Sequence, residues 1–322
     1  MKRKLSLFAI AVIALFSSCN KDDDNSSSVK NAYRLKQETY TYSGGEATKH
    51  EFTYNNERIS AYTSYDSLNG EWVENYKGEV SYNGDNFTLI TYYEEDGSWT
   101  EDEKYEYTVS NGLIVQEIDY YYDDNSWVFD GKYTYSYSGS DITGYLGYDY
   151  EDGEYIISDS CSIIYKNSLP IKSVSYYIDG SEMRRDSKDT LVYSDNKLQY
   201  WIDYYYNSRD SLIIDGKSKY TYSGDKITAL TWYGWSNVTN DWVEHSSDYY
   251  SYDENNYLIK ETYSDGDEST RYEYESGNGN LSLVWSNADD VIFQEPAPKS
   301  AGHKFKYTPY HEKIKAKGYI KY

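Results

Sequence analysis

A short phrase recurs along the chain: a tyrosine, four residues of turn character, then an aliphatic residue or phenylalanine. It is complete at Tyr54–Ile59, Tyr82–Phe87, Tyr137–Ile142, Tyr193–Leu198 and Tyr222–Ile227. Degenerate copies fill the gaps, at Val109–Leu113, Tyr165–Ile171, Tyr252–Leu258 and Tyr274–Leu281. Successive copies lie mostly 27 to 30 residues apart. A fixed period of this length means that one supersecondary unit, used about nine times, builds the body of the protein.

The unit reads as a β-hairpin. Asn-Gly, Ser-Gly and Asp-Asn pairs inside the phrase supply the positive φ that tight hairpin turns require. The residues before each phrase alternate: Tyr133, Tyr135 and Tyr137 share one face of a strand, and Lys132, Thr134 and Ser136 the other. Tyr105, Tyr107 and Val109 oppose Lys104, Glu106 and Thr108 in the same way. The segments after the turns, from Phe87 and from Ile227, are less cleanly sorted, which implies some burial on both faces. Nine hairpins predict an all-β fold, an antiparallel meander of about eighteen strands forming one strongly curved or barrel-like sheet. A single sheet overrides the two-domain prior for 322 residues. An open sheet of that size leaves sticky edges, and closure at that strand number would leave a wide lumen.

Composition agrees once tyrosine is counted as core. Val, Ile, Leu and Phe total only 57 residues and the formal charge is -23, values typical of disordered chains. The 44 tyrosines reverse that conclusion, because aromatic side chains both favour strands and carry large apolar area. With 54 acidic against 31 basic residues the chain lacks the basic footprint of a nucleic-acid binder.

The N-terminus reads as an export signal over residues 1–18. Lys2, Arg3 and Lys4 precede an apolar run at 5–16, and Ser17 and Ser18 precede Cys19. The run is too short for a permanent membrane span. Residues 19–32 read as an acidic, Ser-rich tether, 33–285 as the hairpin-repeat domain, and 286–322 as a Lys-rich cap or closing segment. That last segment holds Pro296 and Pro298, and residues 299–322 carry seven Lys against one Glu.

The signal resembles that of bacterial lipoproteins, in which a peptidase cuts before a cysteine that is then acylated; the matching residue is Cys19. Lipidation there would leave Cys161 alone and no intramolecular disulfide possible. Residues 20–24 (Asn-Lys-Asp-Asp-Asp) resemble the surface-export tag of Bacteroidetes-type lipoproteins. Signal and YSGDKI-type turns together resemble Bacteroidetes lipoproteins of unknown function with a porin-like, hairpin-repeat β-fold, and more distantly Tyr-Asp repeat proteins. The resemblance implies an all-β fold and an outer-membrane, surface-exposed location, with a periplasm-facing one as the alternative. It implies membrane lipid as a partner through acylated Cys19, and no activity.

Chemistry-bearing motifs are scarce. His50, His245, His303 and His311 lack metal-ligand spacing, no phosphate loop or nucleophile elbow is present, and no acidic run fits a calcium loop. Neither cofactor nor metal is expected, and the protein is expected not to be an enzyme. Cys161 falls in register with Ile163 and Tyr165, as a buried inert thiol. Acidic runs at 94–96, 123–124 and 265–268 read as solvated loop tips. One stripe stands out: Trp72, Trp99, Trp127, Tyr155, Met183, Leu212 and Trp242 recur at 27 to 30 residues, in phase with the turns. On alternate strands they would stand about 9.5 Å apart. The stripe is either a hydrophobic belt sealing a long-loop end of the sheet or a row of aromatic platforms for sugar rings, with Asp and Asn nearby for the hydroxyls; Trp72, Trp99, Trp127, Tyr155 and Trp242 are the candidate ligand-stacking residues. The expected function is a non-enzymatic, membrane-anchored lipoprotein presenting a β-repeat surface to a glycan or protein. The alternatives are a glycan-active enzyme with a carboxylate pair and an outer-membrane transport barrel with an apolar outer band.

Overall fold

The computed structural model describes residues 33–277 apart from 152, 180, 181, 265 and 266. Eighteen antiparallel strands pair in sequence order, and the first, β1 (Tyr33–Thr41), pairs with the last, β18 (Ser269–Ser276), so the meander closes into a barrel. Between them run β2 (Ala47–Asn55), β3 (Arg58–Leu68), β4 (Glu71–Asn83), β5 (Asn86–Glu95), β6 (Ser98–Ser110), β7 (Leu113–Asp123), β8 (Ser126–Ser138), β9 (Asp141–Glu151) and β10 (Glu154–Lys166). The second half continues as β11 (Leu169–Asp179), β12 (Glu182–Ser194), β13 (Lys197–Tyr206), β14 (Leu212–Ser223), β15 (Lys226–Ser236), β16 (Asp241–Tyr252) and β17 (Leu258–Thr262). Closure removes both edges that an open sheet would expose.

The recurring phrases are the turns. Asn56, Gly84, Asn111, Gly112, Gly139, Asn196 and Gly224 all have positive φ, and they sit between β2 and β3, β4 and β5, and so on around one rim. Tyr33 pairs with Ser276 on that same rim, so the described chain begins and ends there; we call it the proximal rim. The distal rim was expected to carry long loops, yet it too holds tight turns at Asn69-Gly70, Asp96-Gly97 and Asp124-Asn125, again at positive φ.

Tyrosine makes the inner wall. Tyr62, Tyr105, Tyr107, Tyr135, Tyr145 and Tyr220 are buried on the inward face with Ile59, Ile114 and Leu198. At the proximal rim phrase tyrosines reach back to the hairpin before them and donate to a backbone carbonyl: Tyr82 to Ile59, Tyr137 to Ile114, Tyr165 to Ile142 and Tyr222 to Leu198, at 2.6–3.0 Å. Tyr54, Tyr252 and Tyr274 do the same to Leu35, Ile227 and Leu258. A bulge accompanies the turn, with the strand register slipping between Thr53 and Tyr54, Ser136 and Tyr137, and Thr221 and Tyr222. The inserted residue frees one carbonyl from the ladder and bends the strand, which helps the sheet curl.

The expected division into an aromatic face and a charged reverse needs correction. The outward face carries a second set of tyrosines, at Tyr65, Tyr92, Tyr120, Tyr148, Tyr204 and Tyr233, each opposite a lysine of the neighbouring strand.

Candidate functional site

The outward lysine–tyrosine pairs have a fixed geometry. Lys49, Lys77, Lys104, Lys132, Lys188 and Lys217 lie directly across from their tyrosines, with the ammonium 3.9–5.2 Å from the ring centroid. In five repeats the same ammonium also meets the stripe residue one strand further on: Trp72 at 5.1 Å, Trp99 at 5.1 Å, Trp127 at 5.6 Å, Tyr155 at 4.4 Å and Trp242 at 4.4 Å. A cation over an aromatic face at an exposed site is worth about 0.5–1 kcal/mol, so each unit fixes its two rings around one lysine stem. Lys49, Lys77 and Lys104 also pair with Glu51, Glu79 and Glu106 two residues along the same strand, at 2.7–2.9 Å.

The stripe residues occupy equivalent outward positions on β4, β6, β8, β10, β12, β14 and β16, beside the distal rim, but without the 9.5 Å step expected of them. Trp99 lies across from Glu94, which the β4–β5 register sets level with Asn75 and not with Trp72, so successive members are offset along the strand and stand about 14 Å apart. Trp72 is 43 % exposed and Tyr155 47 %, whereas Trp99, Trp127 and Trp242 are half-buried. Around Trp127 and Tyr155 the rings thicken into a patch: Tyr122 packs on Trp127 at 5.0 Å, and Phe129 meets Tyr150 and Tyr155 at 5.5 and 5.4 Å. Of the stripe's aliphatic members Met183 and Leu212 are exposed, and other exposed apolar side chains near this rim are Leu68, Val73, Ile156 and Val238.

The inward face carries chemistry that reading the sequence missed. Glu117, fully buried, accepts hydrogen bonds from the Tyr107 and Tyr135 hydroxyls at 3.1 and 2.7 Å, and burial pushes its carboxyl above the ordinary range. Burial likewise raises Glu103, which accepts from Tyr105, to about 7. Asp119, Asp189 and Asp203 are buried in the same wall. Only register could have revealed them: Glu103 shares the parity of Tyr105 and Tyr107 and Asp189 that of Leu191, while Glu117 and Asp119 come inward only after the β7 bulge. The predicted loop acids Glu94, Glu95, Asp96, Asp123 and Asp124 are exposed as expected.

One inward row has the residue types of a nucleophile set. Glu38, His50 and Ser64 are register partners on β1, β2 and β3, and Ser64 Oγ lies 2.6 Å from His50 Nδ1. The geometry stops there. Glu38 Oε1 is 3.9 Å from Nε2, Ser64 is 3 % exposed, and burial lowers the imidazole to about 4, leaving a weak base. Cys161 is buried, its thiol pushed up to about 12 by the same desolvation. Among the described residues no group of three or more His, Cys, Asp or Glu is placed to hold a metal ion. Cys19, the signal, the tether, His303, His311 and the 286–322 segment lie outside the described residues.

No protein-family model matches the chain, and no curated protein matches it significantly. Among solved structures it is similar to a porin-like protein from Bacteroides vulgatus, at 11 % identity and a TM-score of 0.31, over 76 % of this chain and 99 % of that one. A DUF3836 family protein from the same organism aligns at 13 % identity and a TM-score of 0.26, over 27 % of this chain and 91 % of the other. A protein from Lactobacillus plantarum aligns at 5 % identity and a TM-score of 0.29, over 66 % and 96 %. Likeness at this level assigns neither family nor activity.

Proposed function

We propose that the protein is a non-enzymatic lipoprotein, anchored in the outer membrane through acylated Cys19 and exposed at the cell surface, whose barrel presents its outward aromatic stripe to a glycan ligand. The observation that carries this reading is the exposure of Trp72 and Tyr155, with Trp99, Trp127 and Trp242 partly exposed beside them, on the rim opposite to the one where the described chain starts and ends. A tether leading to Tyr33 would hold the proximal rim toward the membrane and leave the stripe facing outward. Aromatic platforms flanked by Asp and Asn suit sugar rings, whose faces are apolar and whose edges are hydroxylated.

The two alternatives fit less well. A transport barrel needs a continuous lipid-facing apolar band, whereas the outward face here alternates lysine, glutamate and threonine with tyrosine. A carboxylate-pair enzyme needs two acids open to substrate, whereas Glu117, Asp119, Asp189 and Asp203 are 0–3 % exposed. The test has two parts. Fatty-acid labelling should be lost in Cys19→Ala, and protease added to whole cells should remove the barrel from the wild type. Tryptophan fluorescence of the barrel should change with a subset of a glycan panel and be quenched by acrylamide. Labelling without Cys19, or a stripe shielded from acrylamide and silent to every glycan, refutes the proposal.

A further inference from the structure

We infer that the barrel carries a site of oxidative cross-linking, in which Tyr33 of β1 and Tyr257, at the entry to β17, join through a ring carbon–carbon bond and staple the closing seam. The seam is where the ring of strands is thinnest. β17 has only five residues and pairs with β18 from Lys260 to Thr262 alone, whereas β1 pairs with β18 from Tyr33 to Thr41. Tyrosine rings clasp both ends of β17 to β1, over the intervening β18. Tyr33 meets Tyr257 at the proximal rim, with ring centroids 5.4 Å apart and planes at 69°, and Tyr40 meets Tyr263 at the distal rim, at 5.7 Å. Tyr257 is held through its backbone: its N–H donates to Asp253 Oδ1 at 2.8 Å and its carbonyl accepts from the Asp253 N–H at 2.9 Å. No disulfide can serve at the seam, because the one cysteine among the described residues is the buried Cys161.

The chemistry needs a one-electron oxidant, supplied as hydrogen peroxide through a peroxidase. Each phenol loses one electron and one proton to become a phenoxyl radical, whose unpaired electron is shared with the ring carbons beside the oxygen. A Cε of Tyr33 and a Cε of Tyr257 form the bond, and the hydrogen each carried moves to its own oxygen, restoring two phenols. The two hydrogen atoms lost from the protein reduce one peroxide to two waters. Both rings are half-buried at the rim, open enough for the oxidant and for the rotation that brings their edges together. Tyr274 lies nearer to Tyr257, at 5.0 Å, but its hydroxyl donates to the Leu258 carbonyl and burial holds its phenol well above the ordinary range, which opposes loss of its proton. At the distal clasp Tyr42, on the same strand as Tyr40 and 4.4 Å from it, is a nearer partner than Tyr263, and a link between those two would span no seam. A Tyr33–Tyr257 link encloses nearly the whole barrel in one covalent loop, and a tie restricts the unfolded chain more the longer the loop it closes.

The test oxidises the dilute full chain with hydrogen peroxide and a haem peroxidase and maps the links by mass spectrometry of proteolytic peptides. A peptide pair joining Tyr33 to Tyr257, lighter than its two parts by two hydrogens, should form in the wild type and be lost in Tyr33→Phe and in Tyr257→Phe, which keep the ring contact; unchanged circular dichroism shows that both variants fold. Oxidised wild type should unfold at higher urea than untreated protein and, once denatured, run ahead of it on a gel; oxidised Tyr257→Phe should show neither shift. Tyr150→Phe is the comparison. Tyr150 faces Tyr155 at 5.2 Å within the β9–β10 hairpin, so a link there closes only a short loop, and its removal should leave both shifts in place. Absence of the Tyr33–Tyr257 pair, coupling of Tyr257 to Tyr274 in its stead, or a link that forms without moving the urea midpoint overturns the inference.

Discussion

Gly78 faces Tyr62 across the β3–β4 pair so closely that a Cβ on the glycine would lie 2.7 Å from Tyr62 Cζ. The buried phenol is 5 % exposed and lies over the bare backbone of its partner. The glycine is thus required by packing and not by an unusual φ.

Gly78→Ala should therefore destabilise the barrel by about 1–3 kcal/mol, the cost of forcing a packed ring off its rotamer. Gly131 is the control. The nearest atoms to a Cβ there are at 3.6 and 3.7 Å, ordinary contact distances. Since glycine within a strand costs about 0.5–1 kcal/mol relative to alanine, Gly131→Ala should be neutral or mildly stabilising. Urea midpoints of the two variants against wild type check the contrast; equal midpoints would contradict the packing role of Gly78.

The proximal hydroxyl ladder gives a second expectation. Tyr137→Phe keeps the ring over Ile114 and removes only the 2.6 Å bond to its carbonyl, for an expected loss of about 1 kcal/mol. Tyr222→Phe removes the equivalent bond to Leu198. The two sites belong to different hairpins, so the double variant should lose the sum to within ~0.5 kcal/mol. Thermal or urea denaturation of the three variants measures it, and a strongly non-additive result would mean that the ladder acts as a single unit.

The hairpins were legible because turn chemistry and strand alternation are local: Asn56, Gly139 and Gly224 announce their positive φ, and Tyr133 and Tyr135 announce their face. Closure was not, since nothing near Tyr33 says that its partner is Ser276. Nor were the bulges, because an extra residue such as His245 or Asp215 is absorbed into repeat spacings that already vary. Once a bulge shifts the parity of β7 after Ile114, Glu117 no longer alternates with that residue in the sequence, although the fold turns both inward. The stripe was legible as a period but ambiguous as a site. Period alone does not tell a sealing belt from a solvent-facing row, and along the stripe Trp72 is 43 % exposed while Trp99 and Trp127 are half-buried.

Buried carboxyls should make stability depend on pH. Glu103 is raised from 4.5 to about 7 by burial, and Glu117 is raised by the same cause. The stability each contributes is complete below pH 4.5 and is lost as pH rises through about 7, because the fold resists ionisation that the unfolded chain accepts. His50 works in the opposite sense. Its pKa is lowered from 6.5 to about 4, so its contribution is complete above pH 6.5 and is lost as pH falls toward 4. Glu117→Gln, whose amide can still accept from one tyrosine, should raise the melting temperature near pH 8 and flatten its decline between pH 4.5 and about 7. His50→Gln should instead improve stability only on the acid side. Melting curves across that range decide the matter, and a Glu117→Gln profile parallel to wild type would show that this carboxyl does not govern the slope.

The tryptophans divide by face, and that division can be read directly. Trp201 points inward and is 3 % exposed, whereas Trp72 is 43 % exposed on the outward stripe. A neutral quencher such as acrylamide meets no electrostatic bias from the acidic surface, so it reports access alone. Trp72→Phe should remove part of the quenchable emission, and Trp201→Phe should remove part of the protected emission. Lys49→Ala should further increase quenching at Trp72, because the ammonium now 5.1 Å from that ring no longer holds it against Tyr65. If Trp201 proves as quenchable as Trp72, the inner wall is open to solvent at that point, and the lysine-held outer rings lose their distinction as the accessible aromatic surface.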